Sequence, residues 1–122
     1  MNRLLIADDA LIMRMKIRDV AQKAGWTVVG EASNGAEAVA KYAELRPDLV
    51  TMDLVMPELD GLEALRAIRG QFPEAAVVMI SAVNQKERLR ECISAGAVDF
   101  IVKPFQALEL QVFFERSLRP AT

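Results

Sequence analysis

Short apolar runs alternate with longer amphipathic segments along the whole chain, and this alternation limits the possible folds more than any other feature of the sequence. Most of the runs are continuously apolar, as in parallel strands that are covered on both faces. They span Leu4 to Ala7, Thr27 to Ala32, Leu49 to Met52, Val77 to Ser81 and Phe100 to Val102. Strands that alternate with helices in this way predict a doubly wound α/β fold, with a five-stranded parallel sheet in the order 2-1-3-4-5 and right-handed crossovers.

Capping and stop signals delimit the helices between these runs. Three pairs have the spacing of a capping box, namely Asn34 with Glu37, Asp60 with Glu63, and Asn84 with Glu87. Stop signals follow four of the helices at Gly25, Pro47, Gly70 and Gly96. The last helix is predicted from about Ala107 to Leu118. The whole pattern is a flavodoxin-like (βα)5 arrangement, with the most polar strand, the second, at a sheet edge.

Length and composition restrict the class of protein. The 122 residues, 52% of them hydrophobic, suffice for one buried core and predict a single domain over residues 1–122. A net charge of −2 provides no basic surface for nucleic acid. No apolar run is long enough for a membrane span, and Arg3 is followed by too few apolar residues for a signal peptide. Because Cys92 is the one cysteine and has no internal partner, we expect a cytoplasmic protein.

The absence of histidine excludes several kinds of chemistry. A chain without histidine has no Ser-His-Asp or Cys-His site, no histidine ligand for zinc, and no phosphohistidine of its own. Ionic chemistry is therefore left to carboxylates, lysine, arginine and hydroxyl groups.

Polar residues stand where four of the predicted strands end. Asp8 and Asp9 follow the first strand and Asp53 follows the third, whereas Ser81 ends the fourth strand and Lys103 follows the fifth. Ligands of such sheets bind beyond the carboxyl ends of the strands, near the switch point between strands 1 and 3, so we expect these side chains to converge. Taken singly, each has an ordinary structural explanation. An Asp pair after a strand commonly caps a helix, and a lone Ser or Lys is commonly a surface residue.

As a set, these residues favour phosphoryl transfer assisted by a metal ion. Three crowded carboxylates repel one another, and a hard divalent cation such as Mg²⁺ relieves the repulsion. Lys103 would add a positive charge for phosphoryl oxygens, and Ser81 would add a hydroxyl donor. With no histidine to act as nucleophile, the acceptor must be a carboxylate and the product an aspartyl phosphate.

The same residues lie in motifs that are typical of a known family. In order and spacing, four segments resemble the signature of the receiver domain of response regulators: Asp8-Asp9, Asp53 to Gly61, Ser81-Ala82, and Lys103-Pro104-Phe105. The resemblance covers essentially the whole chain, which is most similar to CheY-like chemotaxis regulators. It implies a phosphoacceptor signalling domain of a two-component system rather than an enzyme, one that assists its own phosphorylation and dephosphorylation.

The resemblance also implies roles for the residues of the site. Asp53 would be the phosphoacceptor. Asp9, Asp53 and the backbone carbonyl of Val55 would bind Mg²⁺, and Asp8 would hold a metal-bound water. Lys103 would contact the phosphoryl group and would be followed by a cis peptide bond to proline.

Two further features concern switching and the lifetime of the phosphorylated form. Ser81 would be the switch hydroxyl, and Phe100 stands where the family has a switch aromatic residue that is often tyrosine. The variable positions that flank the phosphorylation site hold Val55 and Val83. Neither side chain can orient an attacking water, so we expect slow self-dephosphorylation.

Other readings of the fold and of the aspartate nucleophile fit less well. A binder of FMN or another nucleotide would need a loop rich in Gly, Ser or Thr where this chain has Asp8-Asp9-Ala10-Leu11. A haloacid-dehalogenase phosphatase has an Asp-x-Asp motif, but Val55 stands two residues after Asp53. A receiver-like interaction module that is never phosphorylated is a third possibility, although the functional positions are intact. The chain is either a free-standing regulator, which we favour, or a module of a longer protein.

Helix 1 has an apolar group outside its core-facing stripe. The stripe consists of Met13, Ile17, Val20 and Ala24. Leu11, Ile12 and Met15 fall outside it. They either pack on the sheet or helix 5, or form an apolar rim for a histidine kinase or phosphotransfer protein.

Helix 5 poses a similar choice. Its predicted core stripe is Ala107, Leu110, Phe114 and Leu118, and Leu108, Val112 and Phe113 lie off that stripe. These three either contact helices 1 and 4, or belong to an output face formed with strand 5 and helix 4. The partner there would be a flagellar-motor switch protein, a phosphatase, a kinase, or a second copy in a weak phosphorylation-dependent dimer. We expect no direct contact with nucleic acid or membrane.

Overall fold

The computed structural model describes residues 2–120, apart from the side chain of Val83. Within this range, five strands alternate with five α-helices. The strands are β1 (Arg3–Ala7), β2 (Thr27–Ala32), β3 (Leu49–Asp53), β4 (Val77–Ala82) and β5 (Asp99–Lys103). The helices are α1 (Leu11–Lys23), α2 (Gly35–Leu45), α3 (Gly61–Gln71), α4 (Lys86–Ser94) and α5 (Ala107–Arg116), and a 3-10 turn (Val83–Gln85) precedes α4.

The strands form a parallel sheet in the order β2-β1-β3-β4-β5. This confirms the predicted fold and strand order, with β2 at one edge. Four strands extend one or two residues beyond their apolar runs, because main-chain pairing continues past the last large apolar side chain. The extension of β3 makes Asp53 its last residue.

The core consists of two layers, one on each face of the sheet. On one face, α1 and α5 bury their apolar sides against β1, β3, β4 and β5. On the other face, α2, α3 and α4 do the same. The two layers cover the strands from both sides, which explains why the strand sequences are continuously apolar.

Trp26 joins the first layer to the far end of the chain. It lies in the turn between α1 and β2, is buried, and donates from Nε1 to the carbonyl oxygen of Phe114 at 2.8 Å. The two rings also contact each other, with centroids 6.2 Å apart. This pairing fixes α5 beside α1.

Two of the three predicted caps are present. The side chain of Asn34 accepts from the backbone N–H of Glu37 at 2.8 Å, and that of Asp60 accepts from the N–H of Glu63 at 2.9 Å. The prediction for Asn84 is wrong, because residues 83–85 form the 3-10 turn and α4 begins at Lys86 without a side-chain cap.

The stop signals are correct at three positions. Gly25 and Gly96 have positive φ angles of 99° and 106° after their helices, and Pro47 follows the end of α2. Gly70 instead lies within α3, which continues to Gln71. A glycine in a helix interior costs about 1 kcal/mol relative to alanine, which the packing of four larger α3 residues can outweigh.

The predicted core stripe of α5 is only half correct. Leu110 and Phe114 are buried, but Ala107 and Leu118 are exposed. Ala107 occupies the open first turn, and α5 ends at Arg116, so Leu118 no longer follows the helical spacing. On α1, Ile17, Val20 and Ala24 are buried as predicted, and the half-buried Met13 packs beside them.

Among residues 2–120, no helix is both long enough and apolar enough to cross a membrane.

Candidate functional site

Three carboxylates meet at the carboxyl end of the sheet. Asp8 and Asp9 follow β1, and Asp53 ends the neighbouring strand β3. One oxygen from each lies within 4.8 Å of the others. Asp8 and Asp53 are buried, whereas Asp9 is exposed, so the cluster opens to solvent on one side.

Lys103 completes this cluster from β5. Its Nζ lies 2.9 Å from Oδ2 of Asp8 and 3.3 Å from Oδ2 of Asp53. Burial by itself would lower the pKa of Lys103, but the hydrogen bond to Asp8 and the charges of both carboxylates outweigh it and raise that pKa. The side chain is therefore a permanent cation at neutral pH. The peptide bond to Pro104 is cis, as the resemblance implied.

Asp53 is the most electrostatically perturbed of the carboxylates. Burial raises its pKa to about 6; Lys103 opposes the rise, and the Asp8 carboxylate adds to it. The backbone N–H of Val55 also donates to the Asp53 carboxylate, which favours the ionised form. A buried carboxylate that is held between a cation and a second anion is typical of a reactive site.

The loop between β3 and α3 is shaped by a glycine. The N–H of Gly61 donates to the carbonyl of Leu54 at 2.7 Å, which brings the start of α3 against the strand end. A Cβ atom on Gly61 would lie 2.1 Å from the carbonyl oxygen of Asp53. Any other residue would displace the backbone of Asp53, so this close approach requires glycine.

Ser81 lies one strand away from Asp53. Asp53 pairs with Ile80 on β4, and Ser81 is the next residue, buried at the same end of the sheet. Phe100 lies on the outer strand β5 and is 41% exposed. With Lys86, Arg90 and Ile93 of α4, its ring lines a cavity of about 370 Å³.

Several of the apolar side chains that flank the site are exposed. The side chain of Val55 is exposed, and that of Val83 lies outside the described part of the chain. Leu11, Ile12 and Met15 at the start of α1 are 56–77% exposed. These three side chains are therefore largely open to solvent and are not buried against the sheet or α5.

The structure adds two residues that the sequence did not reveal. Arg14 of α1 donates from Nη1 to the carbonyl oxygen of Asp8 at 2.7 Å and from Nε to Glu31 of β2 at 2.9 Å. Arg14 follows the acidic pair closely in the chain, but only the pairing of β1 with β2 places Glu31 beside it. No motif or spacing in the sequence signals this contact.

The acidic cluster fits a hard divalent cation. Three carboxylates within 4.8 Å of one another supply the oxygen ligands that Mg²⁺ prefers, and the exposed side leaves room for water or phosphate oxygens. Lys103 supplies a positive charge that offsets part of the negative charge of the cluster.

Comparison with known proteins gives a consistent result. Residues 4–115 match the family model described as the response regulator receiver domain. The chemotaxis protein CheY of Thermotoga maritima is 54% identical over 105 residues, which cover 86% of this chain and 88% of that protein. CheY of Bacillus subtilis is 55% identical over 106 residues, covering 87% of this chain and 88% of that protein.

A solved structure agrees with these relatives. The CheX-CheY-BeF3-Mg complex of Borrelia burgdorferi contains a chain that superposes with a TM-score of 0.88 at 32% identity, over 96% of this chain and 90% of that one. The strand order and the acidic cluster beside a lysine are those that the sequence predicted. The sequence similarity extends along nearly the whole length of the chain. This chain thus belongs to the response regulator receiver domain family and is closely related to the chemotaxis protein CheY.

Proposed function

We propose that Asp53 is the residue on which this receiver domain accepts a phosphoryl group from the phosphohistidine of a sensor kinase or phosphotransfer protein. The observation that carries the proposal is the position of the Asp53 carboxylate, buried at a strand end beside Asp8 and Asp9 and 3.3 Å from the ammonium group of Lys103. An Oδ atom of Asp53 forms the new bond to phosphorus as the bond from phosphorus to the histidine nitrogen breaks.

The neighbouring side chains stabilise the transferred group. Lys103 now binds two carboxylates and can move its hydrogen bonds to phosphoryl oxygens without leaving the site. The hydroxyl of Ser81 provides a further donor from the next strand. These groups stabilise charge in the transition state through fixed hydrogen bonds.

We propose Mg²⁺ as the cofactor, held by Asp9, Asp53 and the backbone carbonyl of Val55, with Asp8 binding through a metal-bound water. When bound, the cation supplies positive charge that neutralises the phosphoryl oxygens and keeps the carboxylates ionised. Both roles suit a cluster in which burial raises the pKa of Asp53.

Phosphorylation by a small donor tests the assignment. With acetyl phosphate and Mg²⁺, intact-mass measurement should show one added phosphoryl group on the wild type and none on Asp53→Asn. Asp9→Ala should lose Mg²⁺ binding and labelling together. Asp19→Asn is the control, because that exposed aspartate pairs with Lys23 on α1. Equal labelling of Asp53→Asn and the control would refute the proposal.

The phosphorylated form should be long-lived. The exposed Val55 side chain cannot orient a water for attack. We therefore expect Val55→Asn, combined with Val83→Glu, to speed the loss of the phosphoryl group. A decay rate equal to that of the wild type would remove this part of the proposal.

The output surface is proposed to be formed by α4, β5 and α5. Val112 is exposed beside Phe100, and both line one concave patch of this face. Movement of Ser81 toward the phosphoryl group would let the exposed Phe100 ring turn inward and change the patch. A motor-switch protein, a phosphatase, a kinase or a second copy of the chain are the candidate partners.

Two substitutions separate the output from the chemistry. Val112→Asp should weaken binding of the output partner and leave labelling of Asp53 unchanged. Ser81→Ala should retain much of the labelling but uncouple it from partner affinity. If Val112→Asp binds each candidate partner as the wild type does, this face is not the output surface.

We further propose that residues 1–122 act as one chemotaxis receiver unit in the cytoplasm, without direct contact with nucleic acid or membrane. Support comes from the match to CheY proteins over 88% of their length and from the net charge of −2. Its chemistry is confined to its own phosphorylation and dephosphorylation.

Leu11, Ile12 and Met15 form the proposed docking rim for the phosphoryl donor.

A further inference from the structure

The loop that carries Asp8 and Asp9 lacks an ordinary helix cap. The residue before α1 is Ala10, whose methyl group cannot accept a hydrogen bond, and the first turn of α1 has no acidic residue. Other contacts must therefore fix the loop. The N–H of Asp8 donates to the carbonyl of Ala32, and its Oδ1 accepts from the N–H of Ala10, each at 2.9 Å.

The carbonyl oxygen of Asp8 is held by a different group, the guanidinium of Arg14. Nη1 of Arg14 donates to this oxygen at 2.7 Å, while Nε of the same planar group donates to Oε1 of Glu31 at 2.9 Å. The Arg14 side chain is 15% exposed, so water competes little for either bond. Two donors in one rigid plane join the loop after β1 to the neighbouring strand β2.

Glu31 is itself restrained. Its second oxygen accepts from Nε of Arg18 at 3.0 Å, and its backbone carbonyl accepts from Lys41. Burial would raise the pKa of Glu31, but the hydrogen bonds from Arg18 and Arg14 outweigh it and lower that pKa. The carboxylate thus stays charged at neutral pH and anchors Arg14.

We propose that Arg14 is a positioning residue for the acidic cluster. By holding the Asp8 carbonyl, it fixes the peptide unit between Asp8 and Asp9, and so the direction in which the exposed Asp9 carboxylate leaves the backbone. Because Arg14 contacts the Asp8 carbonyl oxygen and none of the cluster's carboxylates, the effect is one of geometry more than of electric field. The inference rests on the proposed role of the cluster as the Mg²⁺ site.

A matched pair of substitutions on α1 tests this role. Arg14→Gln removes the contacts with both Asp8 and Glu31, whereas Arg18→Gln removes a contact with Glu31 alone. In calorimetric titration of the full chain with Mg²⁺, Arg14→Gln should raise the Kd on the order of tenfold, as for other residues that orient metal ligands. Arg18→Gln should change it by about twofold at most.

A measurement on the metal-free protein gives an independent readout. The backbone amide signals of Asp9 and Ala10 should shift in NMR spectra of Arg14→Gln and stay in place in Arg18→Gln. Arg14→Lys keeps the charge but cannot make both bonds in one plane, so its Kd should also rise. Thermal unfolding of each variant checks that the fold is intact.

The outcomes are distinguishable. Wild-type Mg²⁺ affinity in Arg14→Gln, full affinity in Arg14→Lys, or equal weakening in Arg14→Gln and Arg18→Gln would each overturn the positioning role. If the wild type itself binds no Mg²⁺, the proposed metal site fails. Unshifted amide signals of Asp9 and Ala10 in Arg14→Gln would overturn the positioning role of Arg14, whatever Mg²⁺ affinity is measured.

Discussion

The two helices that border the site, α1 and α4, are fixed to the rest of the molecule in different ways. Along α1 and its C-terminal cap, four apolar side chains are buried: Ile17, Val20, Ala21 and Ala24. Along α4, which lies wholly within the described residues, the buried side chains are Leu89 and Cys92. The start of α1 is tied to β2 through Arg14, whereas α4 begins from a 3-10 turn without a side-chain cap.

The contrast matches the roles proposed for the two regions, which are phosphorylation at the acidic cluster beside α1 and output at the face that includes α4. Two carboxylates of the acidic cluster adjoin the firmly packed α1, where their geometry has to be kept. The proposed output face includes α4 and the exposed Phe100, where a change of position costs little buried area. Elements with few buried contacts open at low free energy, and functional movement is usually found in them. An ion pair between Arg88 of α4 and Asp60, the cap of α3, links α4 to the loop after Asp53.

The largest expected loss of stability comes from truncating a buried core side chain on each helix. Ile17 and Leu89 are both 1% exposed. We expect Ile17→Ala to lower the free energy of unfolding by about 4 kcal/mol and Leu89→Ala by about 2 kcal/mol, because α4 can settle into the space while α1 cannot. Urea denaturation measures both values. Equal losses would show that the two helices are held equally well.

Local opening of α4 should be visible through its cysteine. Cys92 is fully buried, and burial raises the pKa of its thiol to about 11, so the native protein should react slowly with iodoacetamide. Arg88→Ala should speed labelling about threefold by freeing α4 from Asp60. Arg66→Ala is the control, because its 3.9 Å pair with Glu91 is exposed. If the labelling rate of every variant follows its free energy of global unfolding, α4 does not open separately from the rest of the molecule.

The pH dependence of stability should reveal the same ion pair. Burial favours a higher pKa for Asp60, but hydrogen bonds from the Glu63 amide and Arg88 outweigh it and lower that pKa. A lowered folded-state pKa gives stability that is present above the ordinary value near 4 and is lost as the pH falls through the folded value. Because the Arg88 side chain is 37% exposed, we expect Arg88→Ala to cost only about 0.5 kcal/mol at pH 7.

Denaturation of the wild type and Arg88→Ala between pH 7 and pH 3 measures this difference. The two curves should converge at the acidic end. A constant gap across the range would mean that Arg88 stabilises α4 by packing rather than through the Asp60 charge.

The smallest effect on stability is expected at the exposed rim of α1. Met15→Glu should change the free energy of unfolding by less than about 0.5 kcal/mol, because the side chain is exposed and both residues favour helices. The same substitution should slow transfer from a phosphohistidine donor and spare labelling by acetyl phosphate. Ile93→Glu, at an exposed position of α4, is the matched control and should leave both reactions unchanged. Equal slowing with both donors would argue against docking at this rim.

The sequence predicted most of the fold because its signals are local. Continuous apolar runs give buried parallel strands, and handed crossovers leave few ways to order them. Asn34 and Asp60 act as caps through neighbours three residues away. Local signals also caused the errors. Asn84 has the same spacing, but a 3-10 turn occupies that position, and helix packing outweighs the stop signal of Gly70.

The sequence by itself determined which chemical groups stand at the strand ends, since Asp8, Asp9, Asp53, Ser81 and Lys103 each adjoin an apolar run. Tertiary structure decided what those groups touch and how they are held. The contacts of Lys103 with Asp8 join residues 95 positions apart, and those of Arg14 and Arg88 join residues 17 and 28 positions apart. No local pattern encodes such pairs, because they arise only when strands and helices pack at fixed register. The sequence determined where the side chains of the site stand along the chain, whereas the packed fold determined their orientation and their electrostatic environment.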